Sequence, residues 1–287
     1  MSHVLSVAEL SELIATEPRL RLLDVRWRLD RPDGRADHLA GHIPGAVYVD
    51  LDGELAAQGD PSRGRHPLPA TADLQAAARR WGVSAGDVVV AYVDVRGIAA
   101  ARAWWLLRQA GVDVHVLDGG LRAWTAAGHV LESGPVTPSR GGIDLPEIGA
   151  DALSIDEAAA LPASGILIDV RAPERYRGEA EPLDPAAGHI PGAVNVPTGE
   201  LFAADGALRD RGELRRLFAD AGVTEGVPVA AYCGSGIAAT HVALVLSEIG
   251  IDAAVFPGSW SQWSRTPGRP IATGARPHGD VVEAVHA

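Results

Sequence analysis

Apolar residues fall along this chain in two alternating spacings. Short continuous runs such as DVVVAYV (Asp87 to Val93) and PVAAY (Pro228 to Tyr232) have the length of strands and are bounded by turn residues. Between such runs lie stretches such as AAARAWWLLRQAG and ATHVALVLSEIG, whose apolar positions recur at helical spacing. The opening MSHVLSVAELSELIATEP has the same helical character, with Glu9 and Glu12 on its polar side. Strands that are apolar throughout must be covered on both faces. The alternation therefore predicts an α/β fold, with mainly parallel sheets flanked by helices.

The pattern occurs twice. RLLDVRW (Arg21 to Trp27) returns as ILIDVRAPERY (Ile166 to Tyr176), and GHIPGAVYVDL (Gly41 to Leu51) as GHIPGAVNVPT (Gly188 to Thr198). Likewise VVVAYVDVRGIAAARAWWLLRQAGV matches VPVAAYCGSGIAATHVALVLSEIGI, and LDGGLRAW (Leu117 to Trp124) matches FPGSWSQW (Phe256 to Trp263). The offset is about 140 to 147 residues, a domain-sized period. Two tandem copies of one module are expected. The stretch SGPVTPSRGGIDLPE (Ser133 to Glu147) has no periodic face and is rich in Gly, Pro and Ser. This places a first domain at 1–135, a linker at 136–150 and a second domain at 151–287.

Composition narrows the function. Of the 287 residues, 47% are hydrophobic and 22% charged, as in globular proteins. No apolar run approaches the roughly 20 residues of a membrane span. The formal net charge of −12 disfavours nucleic acid and acidic membrane surfaces as partners. Lysine is absent, so every side chain that carries a permanent positive charge is an arginine. The N-terminus has no basic stretch ahead of an apolar core, so the chain reads as cytoplasmic. A single cysteine forms no internal disulfide and no Cys-based zinc site, and neither a metal nor another cofactor is expected.

That cysteine, Cys233, ends the strand PVAAY and opens the loop CGSG ahead of a helix starting near Ile237. In a parallel α/β sheet, ligands gather at the carboxyl ends of the strands. Gly234 and Gly236 allow successive N–H groups to converge there, and the helix adds its positive end. Such donors stabilise a thiolate, which makes Cys233 a candidate nucleophile rather than a small buried hydrophobe. The first copy is an internal control. There AYVDVRGIAAAR has valine and aspartate in place of cysteine and glycine, with a loop one residue longer.

Taken together, LLDVRW, GHIPGA, LDGGLRAW, DVRAPERYRGEAEP, GHIPGAVNVP, CGSG and GSWSQW resemble the two-domain rhodanese-type sulfurtransferases over nearly the whole chain. The resemblance implies two rhodanese-like domains, the first non-catalytic. It also implies a cysteine that takes a sulfane sulfur from a donor, holds it as a persulfide and passes it to a thiophilic acceptor such as cyanide, a thiol or a thioredoxin-like protein. Gly and a small hydroxyl residue after the cysteine, here Gly234 and Ser235, are the 3-mercaptopyruvate pattern; the thiosulfate type carries Arg and Lys. By the same resemblance Ser235, His42 and Asp33 form a catalytic set, and Arg175 binds the donor's acid group. Gly234, Gly236, Ile237 and Ala238 complete the donor-binding loop. The chain departs from the mercaptopyruvate pattern in two places, with Leu183 and Asp184 where a second arginine is expected and Ala238 for a threonine. Thiosulfate thus stays open as the donor.

Two other readings use the same fold. Rhodanese-related phosphatases carry an arginine after a five-residue loop, where this chain has Ala239 and a loop one residue short. A non-enzymatic reading makes the two modules a scaffold or sulfur-relay partner that turns over no small molecule, and the intact cysteine loop argues against it. Trp104, Trp105, Trp260 and Trp263 read as packing residues.

Overall fold

The computed structural model describes residues 2–94, 96–204 and 206–283. The chain divides into two units. One comprises Met1–Gln58, Leu68–Ala150 and Ala204–Leu208; the other comprises Gly59–Pro67, Asp151–Ala203 and Arg209–Ala287. Each thus includes a short segment from outside its own main stretch of sequence. The expected linker, 136–150, has almost no regular structure and lies against the first unit. There the Gly141 N–H donates to the Arg79 carbonyl at 2.8 Å, and Ile143 and Leu145 are buried.

The first unit runs β1 (Val4–Leu5), α1 (Val7–Thr16), β2 (Leu20–Asp24), α2 (Arg35–Ala40), β3 (Val47–Tyr48), α3 (Leu51–Glu54), α4 (Thr71–Arg80), β4 (Val88–Tyr92), α5 (Ala100–Gln109), β5 (Asp113–Leu117) and α6 (Gly120–Ala126). Its five strands pair in the order β1-β5-β4-β2-β3, all parallel. The N-terminal helix starts where its sequence says it should. Ser6 caps α1 by accepting from the Glu9 N–H, and the Glu9 side chain returns to the Ser6 N–H. Leu22, Val90 and Leu117 from neighbouring strands pack with Leu10 of α1 and Trp124 of α6.

The second unit runs α7 (Ile155–Ala160), β6 (Ile166–Asp169), α8 (Pro173–Tyr176), β7 (Val194–Asn195), α9 (Arg211–Asp220), β8 (Val229–Tyr232), α10 (Ile237–Glu248), β9 (Ala254–Val255), α11 (Ser259–Trp263), β10 (Pro270–Thr273) and β11 (Asp280–Glu283). Strands pair β7-β6-β8-β9, again all parallel, while β10 and β11 form a separate antiparallel pair. Ala152 bridges Val255 in parallel, at the edge that β1 occupies in the first unit. The core holds Leu167, Ala230, Tyr232, Phe256, Trp260 and Trp263. Trp260 and Trp263 are buried, and their indole N–H groups donate to the carbonyls of Ala186 and Pro270, so they are packing residues with satisfied polar edges. Among the described residues no helix is long and apolar enough to cross a membrane.

Each of the two parallel sheets carries a buried charge pair between the first and third residues of its DVR motif. Asp24 accepts from Arg26 in the first unit and Asp169 from Arg171 in the second, all four side chains being nearly or fully buried. In both units the neighbouring tyrosine, Tyr92 or Tyr232, accepts a hydrogen bond from the isoleucine N–H of GHIPGA. Burial, reinforced by the adjacent aspartate's charge, pushes both phenols well above their ordinary value. The repeated sequence motifs are therefore the parts that tie the GHIPGA loop to the central strand.

Candidate active site

Cys233 follows directly on β8, and its loop is held from one side by the start of α11. The Trp260 N–H donates to the Cys233 carbonyl at 3.0 Å and the Ser261 N–H to the Gly234 carbonyl at 2.9 Å. The Ser259 hydroxyl accepts from the Cys233 N–H at 3.1 Å and donates to the Phe256 carbonyl at 2.9 Å. To make these bonds Ser259 adopts a φ of 51°, a left-handed conformation unusual for a residue with a side chain. The first unit repeats the scaffold. Leu121 donates to Val93 at 2.9 Å and Arg122 to Asp94 at 3.0 Å, with Gly120 taking the left-handed conformation at φ 58°.

The two loops differ in what they present. Cys233 is buried, and its Sγ accepts from the Gly236 N–H at 3.1 Å. Gly236 is the N-cap of the 12-residue α10, with a φ of 86°, and a side chain there would meet the Pro257 carbonyl oxygen at 2.4 Å. Glycine is therefore required, and it brings the positive end of α10 to the sulfur. In the first unit Asp94 takes the place of Gly234. Its carboxylate meets Arg26 at 3.0 Å and Arg28 at 3.5 Å, while burial pushes its acid upward against the pull of these two cations. That loop has no sulfur and its charge is already engaged.

Around Gly234 the second unit gathers arginines. A side-chain carbon at Gly234 would lie 2.9 Å from Arg65 Nη2 and 3.7 Å from both Arg175 terminal nitrogens, so glycine leaves room for two guanidiniums beside the thiol loop. Arg175, on α8, is held by Glu181 through bonds of 2.6 and 3.1 Å. Glu181 also accepts from Arg171 and from the N–H groups of Leu183 and Asp184. Asp184, its side chain fully buried, accepts from Arg65 and Arg265 and lies 3.6 Å from Arg175.

The second unit brings together Cys233, Gly234, Ser235, Gly236, Ile237, Ala238 and Arg175. Ser235 and Ile237 are buried and Ala238 is half-buried. His42 and Asp33 lie in the first unit, each with partners there. His42 stacks on His38 with ring centroids 4.0 Å apart, and its Nδ1 lies 2.8 Å from the His38 carbonyl. Asp33 accepts from the Arg35 N–H at 2.9 Å and the Tyr48 hydroxyl at 3.3 Å. These contacts hold the α2 turn. Sequence reasoning missed Arg65, Arg265 and Ser259, and treated Asp184 only as a departure from a pattern. No local signal marks Arg65 in PSRGRHPLP. Ser259 was foreshadowed only by its match to the glycine of LDGG.

The rhodanese-like domain family matches residues 6–127 and 154–266. The chain belongs to the rhodanese family. It is 46% identical over 275 residues to the Mycobacterium tuberculosis (strain ATCC 25618 / H37Rv) protein named "Putative thiosulfate sulfurtransferase SseB", covering 94% of this chain and 97% of that protein. It is 32% identical to the 3-mercaptopyruvate sulfurtransferase of Escherichia coli (strain K12), covering 89% and 92% of the two. The crystal structure of SseA from Escherichia coli, a 3-mercaptopyruvate sulfotransferase by its description, superposes with a TM-score of 0.80 at 31% identity, covering 91% of this chain and 99% of that one. This rhodanese is thus a sulfurtransferase with two rhodanese-like domains. Its cysteine loop sits in the second of them.

Proposed function

We propose that the chain takes a sulfane sulfur from 3-mercaptopyruvate onto Cys233 and passes it, as a persulfide, to a thiophilic acceptor: cyanide, a small thiol or a thioredoxin-like protein. The observation that carries this reading is the Gly236 N–H bond to Cys233 Sγ at the head of α10, beside the Arg65 and Arg175 guanidiniums. A thiolate placed there attacks the donor's sulfur. The new bond is Cys233 Sγ–S, and the bond that breaks is the donor's C–S bond, whose electron pair leaves on the pyruvate enolate. Loop amides and the helix terminus stabilise the negative charge on sulfur, and Arg175 orients the carboxylate. The enolate then takes up a proton, a step we assign to Ser235, the hydroxyl residue of the same loop. His42 and Asp33 we assign to holding the α2 turn, in keeping with their contacts. A single cysteine used as a nucleophile suits a reducing compartment, and we place the protein in the cytoplasm.

Mass spectrometry of the protein after exposure to 3-mercaptopyruvate should show about 32 Da added at Cys233, removed again by cyanide. Turnover with an unmodified Cys233, or turnover surviving Cys233→Ser, would overturn the reading. Thiosulfate is the second donor to test, because the Mycobacterium tuberculosis relative is named for it. With that donor the S–S bond breaks and sulfite leaves. A catalytic efficiency higher with thiosulfate than with 3-mercaptopyruvate on one preparation would replace the first donor with the second.

A further inference from the structure

Asp184 has a fully buried side chain set among three arginines. It accepts from Arg65 and Arg265 and faces Arg175, so one carboxylate fixes three guanidiniums in the second unit. Arg175 is already held bidentately by Glu181. Arg65 is less fully used. Its Nη1 goes to Asp184, its Nε is buried without a hydrogen-bond partner, and its Nη2 lies against the space above Gly234. Its backbone is pinned as well, the Arg65 N–H donating to the Ser261 hydroxyl at 3.0 Å, on the same short helix that anchors the cysteine loop.

The charge balance of the cluster is equally specific. Arg65, Arg171, Arg175 and Arg265 face Asp169, Glu181 and Asp184, which leaves one net positive charge. The three carboxylates and Arg171 are buried and Arg65, Arg175 and Arg265 are partly so, which limits screening by salt, so each unit of charge weighs on any anion entering beside Gly234. A dianion gains twice as much as a monoanion from each added positive charge. Asp184 removes one such charge from the site.

The geometry points to Arg65 as a second donor-binding guanidinium acting with Arg175 on the donor's acid group. It also points to Asp184 as a positioning residue that aims Arg65 and sets the cluster's charge for a singly charged carboxylate donor. This rests on the Cys233 persulfide reading. The donor's carboxylate would then lie over Gly234, between the Arg65 and Arg175 tips, with its sulfur toward Cys233.

Initial rates with 3-mercaptopyruvate and with thiosulfate, cyanide as acceptor, test the inference in Arg65→Gln, Arg65→Lys and Asp184→Asn, each checked by thermal melting. Arg65→Gln should raise KM for both donors about tenfold or more, with kcat changed far less, because a charge-assisted hydrogen bond is lost. Arg65→Lys should recover part of that loss by keeping the charge. Asp184→Asn should lower KM for thiosulfate relative to KM for 3-mercaptopyruvate, a shift in the ratio that a merely structural defect would not give. Unchanged KM values in folded Arg65→Gln would overturn the role of Arg65. If that variant does not fold, Arg65→Lys with both KM values unchanged overturns the role of the Arg65 guanidinium, and a raised KM supports it. Equal changes for the two donors in Asp184→Asn would overturn the charge selection. Failure of Cys233 in the unsubstituted protein to gain sulfur from either donor would instead overturn the persulfide reading beneath it, and is distinguishable because no substitution is involved.

Discussion

The Gly236 N–H donates to Cys233 Sγ at 3.1 Å, and it does so only because Gly236 holds a φ of 86° at the N-cap of α10. Thiol, donor amide and helix terminus are thereby set by four consecutive residues.

Gly236→Ala follows from that relationship. A methyl group would meet the Pro257 carbonyl oxygen at 2.4 Å in a backbone region that disfavours side chains. The substitution is expected to cost about 1–3 kcal/mol of stability and to turn the amide away from the sulfur. Denaturant unfolding should show the loss, and persulfide formation at Cys233 should slow at least about tenfold. Unchanged values of both would refute the assigned role.

Ser259 supports the loop through a buried hydroxyl that accepts from the Cys233 N–H and donates to the Phe256 carbonyl. Ser259→Ala leaves both groups unpaired and keeps the strained φ, so it should cost about 1–3 kcal/mol. Ser259→Gly removes the same bonds but relieves the backbone, and is expected to be the milder of the two. A melting comparison checks the order.

Asp169 and Arg171 form a nearly fully buried ion pair, and the Arg171 guanidinium also lies 4.4 Å from the Trp260 ring centroid. Removing one partner strands the other's charge. Arg171→Met should therefore destabilise by about 3–5 kcal/mol, whereas the double change Asp169→Leu with Arg171→Met should destabilise less than the single one. A double change worse than Arg171→Met alone would contradict this account.

His241 is buried in α10 against Phe202, and burial pushes its imidazole from 6.5 down to about 3. The unfolded chain binds this proton between those two values and the folded chain does not. Its contribution is therefore fully present above pH 6.5 and is lost as pH falls towards about 3. Urea unfolding of the unsubstituted protein should lose up to about 1.4 kcal/mol per pH unit more than His241→Leu within that window. Parallel pH profiles for the two would disprove it.

The family, the duplicated module and the cysteine loop were legible in the sequence because each is written in contiguous residues. GHIPGA, DVR and the strand-loop-helix around Cys233 carry their geometry locally, through φ-permissive glycines and alternating apolar spacing. Unequal conservation of chemistry between copies was legible too, since Val93 stands where Cys233 does. The segment boundaries were less so. Gly59–Pro67 joins the second unit and Ala204–Leu208 the first, and nothing in their composition says which sheet they pack against.

By itself the sequence determined that this protein is two α/β modules with one cysteine, set in a glycine loop between a strand and a helix, because periodicity and turn chemistry act over a few residues. Only the tertiary structure decided what surrounds that cysteine. Arg65 meets Asp184 across 119 positions and Ser259 meets Cys233 across 26, and such pairings arise from how sheets and loops close in space. The charge at the site is a sum over side chains distant in sequence, so it exists only once the chain is folded.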